Sequence, residues 1–337
     1  MDRLLSGYFV GMETGDFEFG FLDRATFVVY QFVCGLPLEA ALEDCNSTCD
    51  LIDQYQVQST ASVIVHIKDL FLALTGRVMD PFEWTRTDDV TAATTLERTS
   101  SVTSLAWKYM SRVQVTYYLQ RYDLAEEALA CFDVVSSDDK AYLTIITSTM
   151  FQVLVNTARY RETKQRRFRL RARKQFRWAQ TKIRPRTRNL LHKFKLLEAD
   201  MESTFRSKKT KPGHVKELFD EAIAEALAGK YIQDAALANE LAGEYLLTQA
   251  GDHGNPFWLR HYFTNAHTLY MAWEAKAKVR LLRSRRGAFI DLETSEKLPY
   301  SICKARITKS LPVHDDLGVR LTEDHASSMV LSETTTC

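Results

Sequence analysis

Glycine and proline are both scarce, 13 and 7 among 337 residues. An all-β chain of this length would need many more, because tight hairpins use residues with φ > 0 and prolines preset for turns. No proline falls between Pro81 and Pro185, which favours long helices. No apolar run approaches the length of about 18 residues that spans a bilayer, so no transmembrane segment is expected. Met1-Asp2-Arg3-Leu4-Leu5 lacks the basic stretch and apolar run of a secretory signal, and a cytoplasmic location is expected. Cys34, Cys45, Cys49, Cys131, Cys303 and Cys337 are scattered, as small buried hydrophobes are in cytosolic chains. Cys45 and Cys49 stand four apart, with no nearby histidine or second cysteine pair to complete a metal site.

Catalytic signatures are missing as well. There is no G-x-x-x-x-G-K-[ST] phosphate loop, and Gly229-Lys230-Tyr231 lacks both the upstream glycine and the Ser/Thr that would hold magnesium. There is no G-x-S-x-G, no H-E-x-x-H and no protein-kinase signature. The chain is therefore expected not to be an enzyme and to carry no cofactor. With a net charge of +1, the whole molecule has no strong bias toward nucleic acid or membrane.

Helical periodicity dominates what is present. Phe21, Leu22, Ala25, Val28, Val29, Phe32 and Val33 form a stripe that stops at Gly35-Leu36-Pro37. Leu38, Ala41, Leu42, Cys45, Cys49 and Ile52 form the next stripe, and a third helix runs from about Ser59 to Leu74 and stops at Gly76. Residues 77–103, with Asp80-Pro81 and a Thr/Ser-rich run, read as a loop or weakly formed insertion. Helices resume with Leu105, Tyr109, Val113 and Tyr117, then from Asp123, then through Leu143, Ile146, Met150, Leu154 and Ala158. In the second half, stripes end at Phe205, at Leu227 before Gly229, and at Leu246 before Gly251; Trp258 to Leu281 reads as one further helix. Tyr245, Trp258, Tyr262, Tyr270 and Trp273 have the spacing of an inter-helix core rather than of a ligand groove. Helix pairs recur about every 40 residues, near the periods of tetratricopeptide, HEAT and armadillo arrays. The expected fold is all-α: an irregular tetratricopeptide-like solenoid of helical hairpins over residues 1–287, and a largely disordered tail over 288–337.

The strongest local charge lies between Arg159 and Arg188, with Glu162 as the single acidic residue. A basic helix is expected over about 159–184. Arg166, Arg167, Arg169, Arg171, Arg173, Lys174 and Arg177 are its candidate partner-binding face, with Phe168, Phe176 and Trp178 interleaved. Three readings stand side by side. The charges could pair with acidic elements elsewhere in the chain. They could meet an acidic protein surface. They could track phosphates of nucleic acid or anionic lipid, with aromatic rings for stacking.

Several blocks are more specific than periodicity requires. Ala235-Ala236-Leu237-Ala238-Asn239-Glu240-Leu241-Ala242-Gly243-Glu244-Tyr245 resembles a block in the helical region of predicted STAND-class (AAA-like) ATPases, large signalling proteins often fused to kinase and histidine-kinase domains. Tyr270 and Trp273-Glu274-Ala275-Lys276-Ala277-Lys278-Val279 are similar to that family's Y-x-x-W-G-A-x-x-K-V pattern, with Glu274 where glycine is usual, so the helix is expected to continue through it. Trp178, His192-Lys193-Phe194, Leu197-Glu198-Ala199-Asp200, Phe219-Asp220-Glu221-Ala222-Ile223, Gly11-Met12-Glu13-Thr14-Gly15-Asp16 and Gly35-Leu36-Pro37-Leu38 resemble further blocks in the same order. The resemblance covers about residues 5–285. It implies a tetratricopeptide-like sensing and interaction region without the ATPase and kinase domains, hence a stand-alone copy or a fragment. Asn239, Glu240, Gly243, Tyr270, Trp273 and Lys278 are its structural motif residues. The function expected is a non-catalytic protein-interaction scaffold in signalling, with a concave binding surface and a protein partner. The alternative is an adaptor that binds nucleic acid or acidic surfaces through the basic segment.

Overall fold

The computed structural model describes residues 1–83, 102–135, 142–182, 190–205, 213–249 and 256–297. Among them are fourteen α-helices and no strand: α1 Asp2–Thr14, α2 Phe17–Val33, α3 Leu38–Tyr55, α4 Gln58–Thr75, α5 Val102–Tyr118, α6 Tyr122–Val135, α7 Tyr142–Thr163, α8 Arg166–Lys182, α9 Leu191–Phe205, α10 His214–Ala228, α11 Ile232–Gln249, α12 Pro256–Ala272, α13 Lys276–Arg286 and α14 Leu292–Lys297. Most of the stripe residues read from the sequence point inward, with Leu22 and Leu227 exposed instead, and neighbouring helices pack as hairpins. The chain is an all-α helical-hairpin solenoid. Within α12 the expected core placement holds for Tyr262 and Tyr270, and beyond it for Trp273, all fully buried.

One turn recurs between helices. A single residue leaves the helix at positive φ, and the amide after it donates to the carbonyl five residues back, which satisfies an otherwise orphaned acceptor. Leu36 donates to Gln31 (2.9 Å), Arg77 to Leu72 (3.0 Å), Arg121 to Thr116 (2.8 Å), Tyr231 to Ala226 (2.8 Å) and Ala275 to Tyr270 (3.1 Å). The positive-φ residues are Gly35, Gly76, Gln120, Lys230 and Glu274. Gly35 to Gly76 is 41 residues, and both Gly76 to Gln120 and Lys230 to Glu274 are 44. This is the structural form of the period near 40.

Two expected helices are each divided. The stripe from Trp258 to Leu281 breaks at Glu274, which has φ 65; the helix does not continue through the position where glycine is usual. A left-handed non-glycine residue costs about 1 kcal/mol, and the offset comes from far away in sequence. The Glu274 carboxylate accepts the Glu39 amide at 2.9 Å, and the Trp273 carbonyl accepts the Leu38 amide at 3.1 Å. Helix α3 has no side-chain cap of its own, so the turn between α12 and α13 supplies the partners for its first amides. The basic segment expected as one helix over 159–184 is likewise two. It turns at Lys164 (φ 58), with the Gln165 amide donating to the Thr163 hydroxyl at 3.3 Å. Helix α8 then runs back along α7: Phe168 lies beneath Arg159, and Ala179 packs with Ile146. The turn lets Phe168, Ala172, Phe176 and Ala179 face inward, which a straight continuation would not.

The solenoid coils tightly enough for its last helices to meet its first. Trp273 packs against Phe32 (centroids 5.6 Å apart) and Tyr118 (5.3 Å). Gln233 donates to the Val33 carbonyl at 2.8 Å, and Lys276 pairs with Glu39 at 2.7 Å. One continuous core therefore runs from Tyr8 to Ile290. The helical body also continues past the boundary expected at 287. A 3₁₀ turn at Gly287–Phe289 leads into α14, where the Ser295 hydroxyl bonds His267 at 2.7 Å. Residues 84–101 of the expected insertion and 298–337 of the expected tail lie outside the described residues.

Candidate functional site

Helix α8 carries eight basic residues and no acidic one. Its apolar side is committed to the fold: Phe168, Ala172, Phe176 and Ala179 are buried. The other side faces solvent, with Arg166, Arg167, Arg171, Lys174, Arg177 and Lys182 all exposed. Among the described residues only Arg167 has a carboxylate within ion-pair distance, Glu126 at 3.1 Å. Glu126 is shared with Arg159 of α7, at 2.7 Å. Among the described residues, then, seven of the eight cations of α8 have no acidic partner.

Arg169 and Arg173, one turn apart, flank the exposed face. Each guanidinium carbon lies 5.7 Å from the centroid of the Phe205 ring at the end of α9. The ring fixes both by cation–π attraction and leaves them without a carboxylate, and the Arg169 Nε is buried without a partner. Of the three interleaved aromatics, Phe168 and Phe176 are buried and unavailable for stacking; Trp178 is 38% exposed on the basic side. Leu170, 54% exposed in the middle of that side, was not distinguishable in the sequence from an inward leucine.

The motif residues behave in the opposite way. Glu240 and Lys278, 38 positions apart, form an ion pair of 2.6 Å, 2% and 1% exposed. Tyr270 donates to the second Glu240 oxygen at 2.7 Å, and Gln120 donates to the first at 2.8 Å. Burial, then the neighbouring Glu240 charge, holds the Tyr270 phenol well above its ordinary pKa. The Trp273 ring lies 6.5 Å from that of Tyr270. Gly243 gives the Phe263 ring room, since a Cβ there would lie 2.8 Å from Phe263 Cζ. Asn239 donates to the Ala235 carbonyl at 2.8 Å. All six are buried, and Glu240, Tyr270, Trp273 and Lys278 cluster where the last helices close on the earlier ones. Two further buried carboxylates are paired in the same way. Asp200 takes Arg161 at 2.5 Å, and Asp234 takes Lys193 at 2.6 Å and His192 at 2.9 Å. Burial opposes ionisation of Asp234, but Lys193 and His192 outweigh it and hold that carboxyl below its ordinary pKa.

A cleft of about 340 Å³ opens between α2, α4 and α5, lined by Phe19, Leu22, Val29, Val63 and Trp107. Glu18, bonded by the Ser59 hydroxyl, is its single charged group. Among the described residues no group of three or more His, Cys, Asp and Glu side chains could hold a metal ion, and no helix is long and apolar enough to cross a membrane. No family model, no curated protein and no solved structure matches the chain.

Proposed function

We propose that the chain is a non-catalytic, cytoplasmic interaction module, of the kind found in the helical sensing region of signalling ATPases, and that it engages its partner through the basic face of α8. One observation carries this reading: seven of the eight cations of α8 lack a carboxylate partner among the described residues, on a helix side turned to solvent. An exposed charge needs no partner for stability, so the concentration of unpaired positive charge on one helix is available to an external anionic surface. The packing of Glu240, Tyr270, Trp273 and Lys278 supports reading the family-like blocks as determinants of the fold rather than as a ligand site.

Heparin, a generic polyanion, tests the surface. The full chain should be retained on it, and Lys174→Glu/Arg177→Glu should elute early with an unchanged circular-dichroism spectrum. Equal retention of the two proteins would overturn the assignment. Calorimetric titration with ATP and magnesium should give no stoichiometric binding, and a saturable heat would restore an enzymatic reading.

A further inference from the structure

Resting on that assignment of the α8 face, we infer that its partner is a single-stranded nucleic acid, held by its phosphates along the helix and by an unpaired base on Trp178. Charge density is the first argument. Sixteen residue steps separate Arg166 from Lys182, so at 1.5 Å per residue the eight cations span about 24 Å, one per ~3 Å. Such a row of cations can meet successive phosphates of a strand lying along it, and α8 itself supplies no acidic residue, Glu126 beside Arg167 being the one carboxylate within ion-pair distance among the described residues.

The kind of cation is the second. Six of the eight are arginine, whose planar fork matches phosphate oxygens bidentately. Arg169 and Arg173 are held on Phe205 without a counterion, so two guanidinium groups are in place before a phosphate arrives. Trp178 is the third. Its indole is 38% exposed, one helical turn after Lys174 and one before Lys182. A base stacks on such a ring whatever its sequence. A bilayer fits the face poorly. The apolar side chains of α8 are buried against α7, so the helix cannot lie in the interface with that side in the lipid, and Leu170 and Trp178 alone remain exposed on its outward side.

The test is a fluorescence-anisotropy titration of the full chain with a labelled mixed-sequence single strand of about 20 nucleotides. The same-sequence duplex, poly-glutamate and phosphatidylserine-rich vesicles serve as competitors. With about five phosphates engaged, affinity should fall about a hundredfold between 50 and 200 mM salt. Lys174→Glu/Arg177→Glu should flatten that dependence. Trp178→Ala should weaken the strand about tenfold and leave the salt slope unchanged, a split that loss of fold would not produce. The single strand should outcompete all three competitors. If the chain binds heparin through α8 but poly-glutamate or the vesicles compete as well as the strand, the nucleic-acid inference is wrong and the α8 surface stands. If Trp178→Ala has no effect on the strand, stacking is wrong and the inference fails with it. If no polyanion binds, the α8 surface itself is wrong.

Discussion

Two helices of this chain are strongly basic and free of acidic residues, and they treat their charge in opposite ways. Helix α13 carries six cations. Lys276 pairs with Glu39, Lys278 with Glu240 and Arg286 with Glu244, and Arg285 donates to the Gln120 side chain at 2.5 Å. Helix α8 carries eight, of which Arg167 alone has a carboxylate among the described residues. Position in the fold makes the difference. The inner side of α13 lies in the wall where the ends of the solenoid close, and Lys278, removed from water there, must be paired, while Arg280 and Arg283 face solvent. Helix α8 turns its charges outward, where pairing adds little. A third case completes the comparison. His66 of α4 faces Lys108 and Arg112, and burial, followed by those two charges, pushes its pKa down to about 4. The half-buried imidazole, facing two cations, favours its neutral form.

The comparison can be broken first at Lys278. Lys278→Met leaves Glu240 buried and ionic, and should cost about 3–5 kcal/mol in urea unfolding. Adding Glu240→Leu should recover much of that loss; a double variant no more stable than the single one would show that packing, not pairing, holds the wall. His66 gives a pH-dependent test. Its folded pKa lies below the unfolded value of 6.5, so the unfolded chain binds the proton first. The stability that comes with the neutral ring is complete above about pH 6.5 and declines toward pH 4, by up to about 2 kcal/mol after allowing for its partial exposure. His66→Gln should flatten thermal-melt midpoints in that window relative to the native chain. Glu274→Ala keeps the left-handed strain and loses the cap on α3, for about 1–2 kcal/mol. Glu274→Gly should cost less, because it relieves the strain while losing the same cap. The smallest effect belongs to α8: Lys174→Glu/Arg177→Glu should shift unfolding by no more than about 0.5 kcal/mol.

These effects also mark what the sequence could reveal. Stripes and stops were legible wherever the cause was local. Gly35 and Gly76 end α2 and α4 because glycine adopts positive φ without strain, and the inward faces of α2 to α4 follow from spacing alone. The break at Glu274 was not legible. Its stabilising partner, the Glu39 amide, lies 235 positions away, and glutamate does not announce a left-handed turn. The division at Lys164 was hidden for the same reason. For the candidate face, the basic residues and their helical side were readable. Their lack of partners was not, since that depends on which of the 43 carboxylates the fold brings near. Glu240 and Lys278 stood out as a block, but nothing in their spacing said that they touch.

The most direct test of the central claim sets the two basic helices against each other with equal changes of charge. Affinity for the labelled single strand at fixed salt would be measured for the native chain, for Lys174→Glu/Arg177→Glu in α8, and for Arg280→Glu/Arg283→Glu on the exposed side of α13. The α8 pair should lose at least about tenfold in affinity, since exchanging two phosphate-contacting cations for anions costs more than about 1.4 kcal/mol, and the α13 pair should change little. Equal losses for the two pairs would mean that net charge alone governs binding and that α8 is not its site.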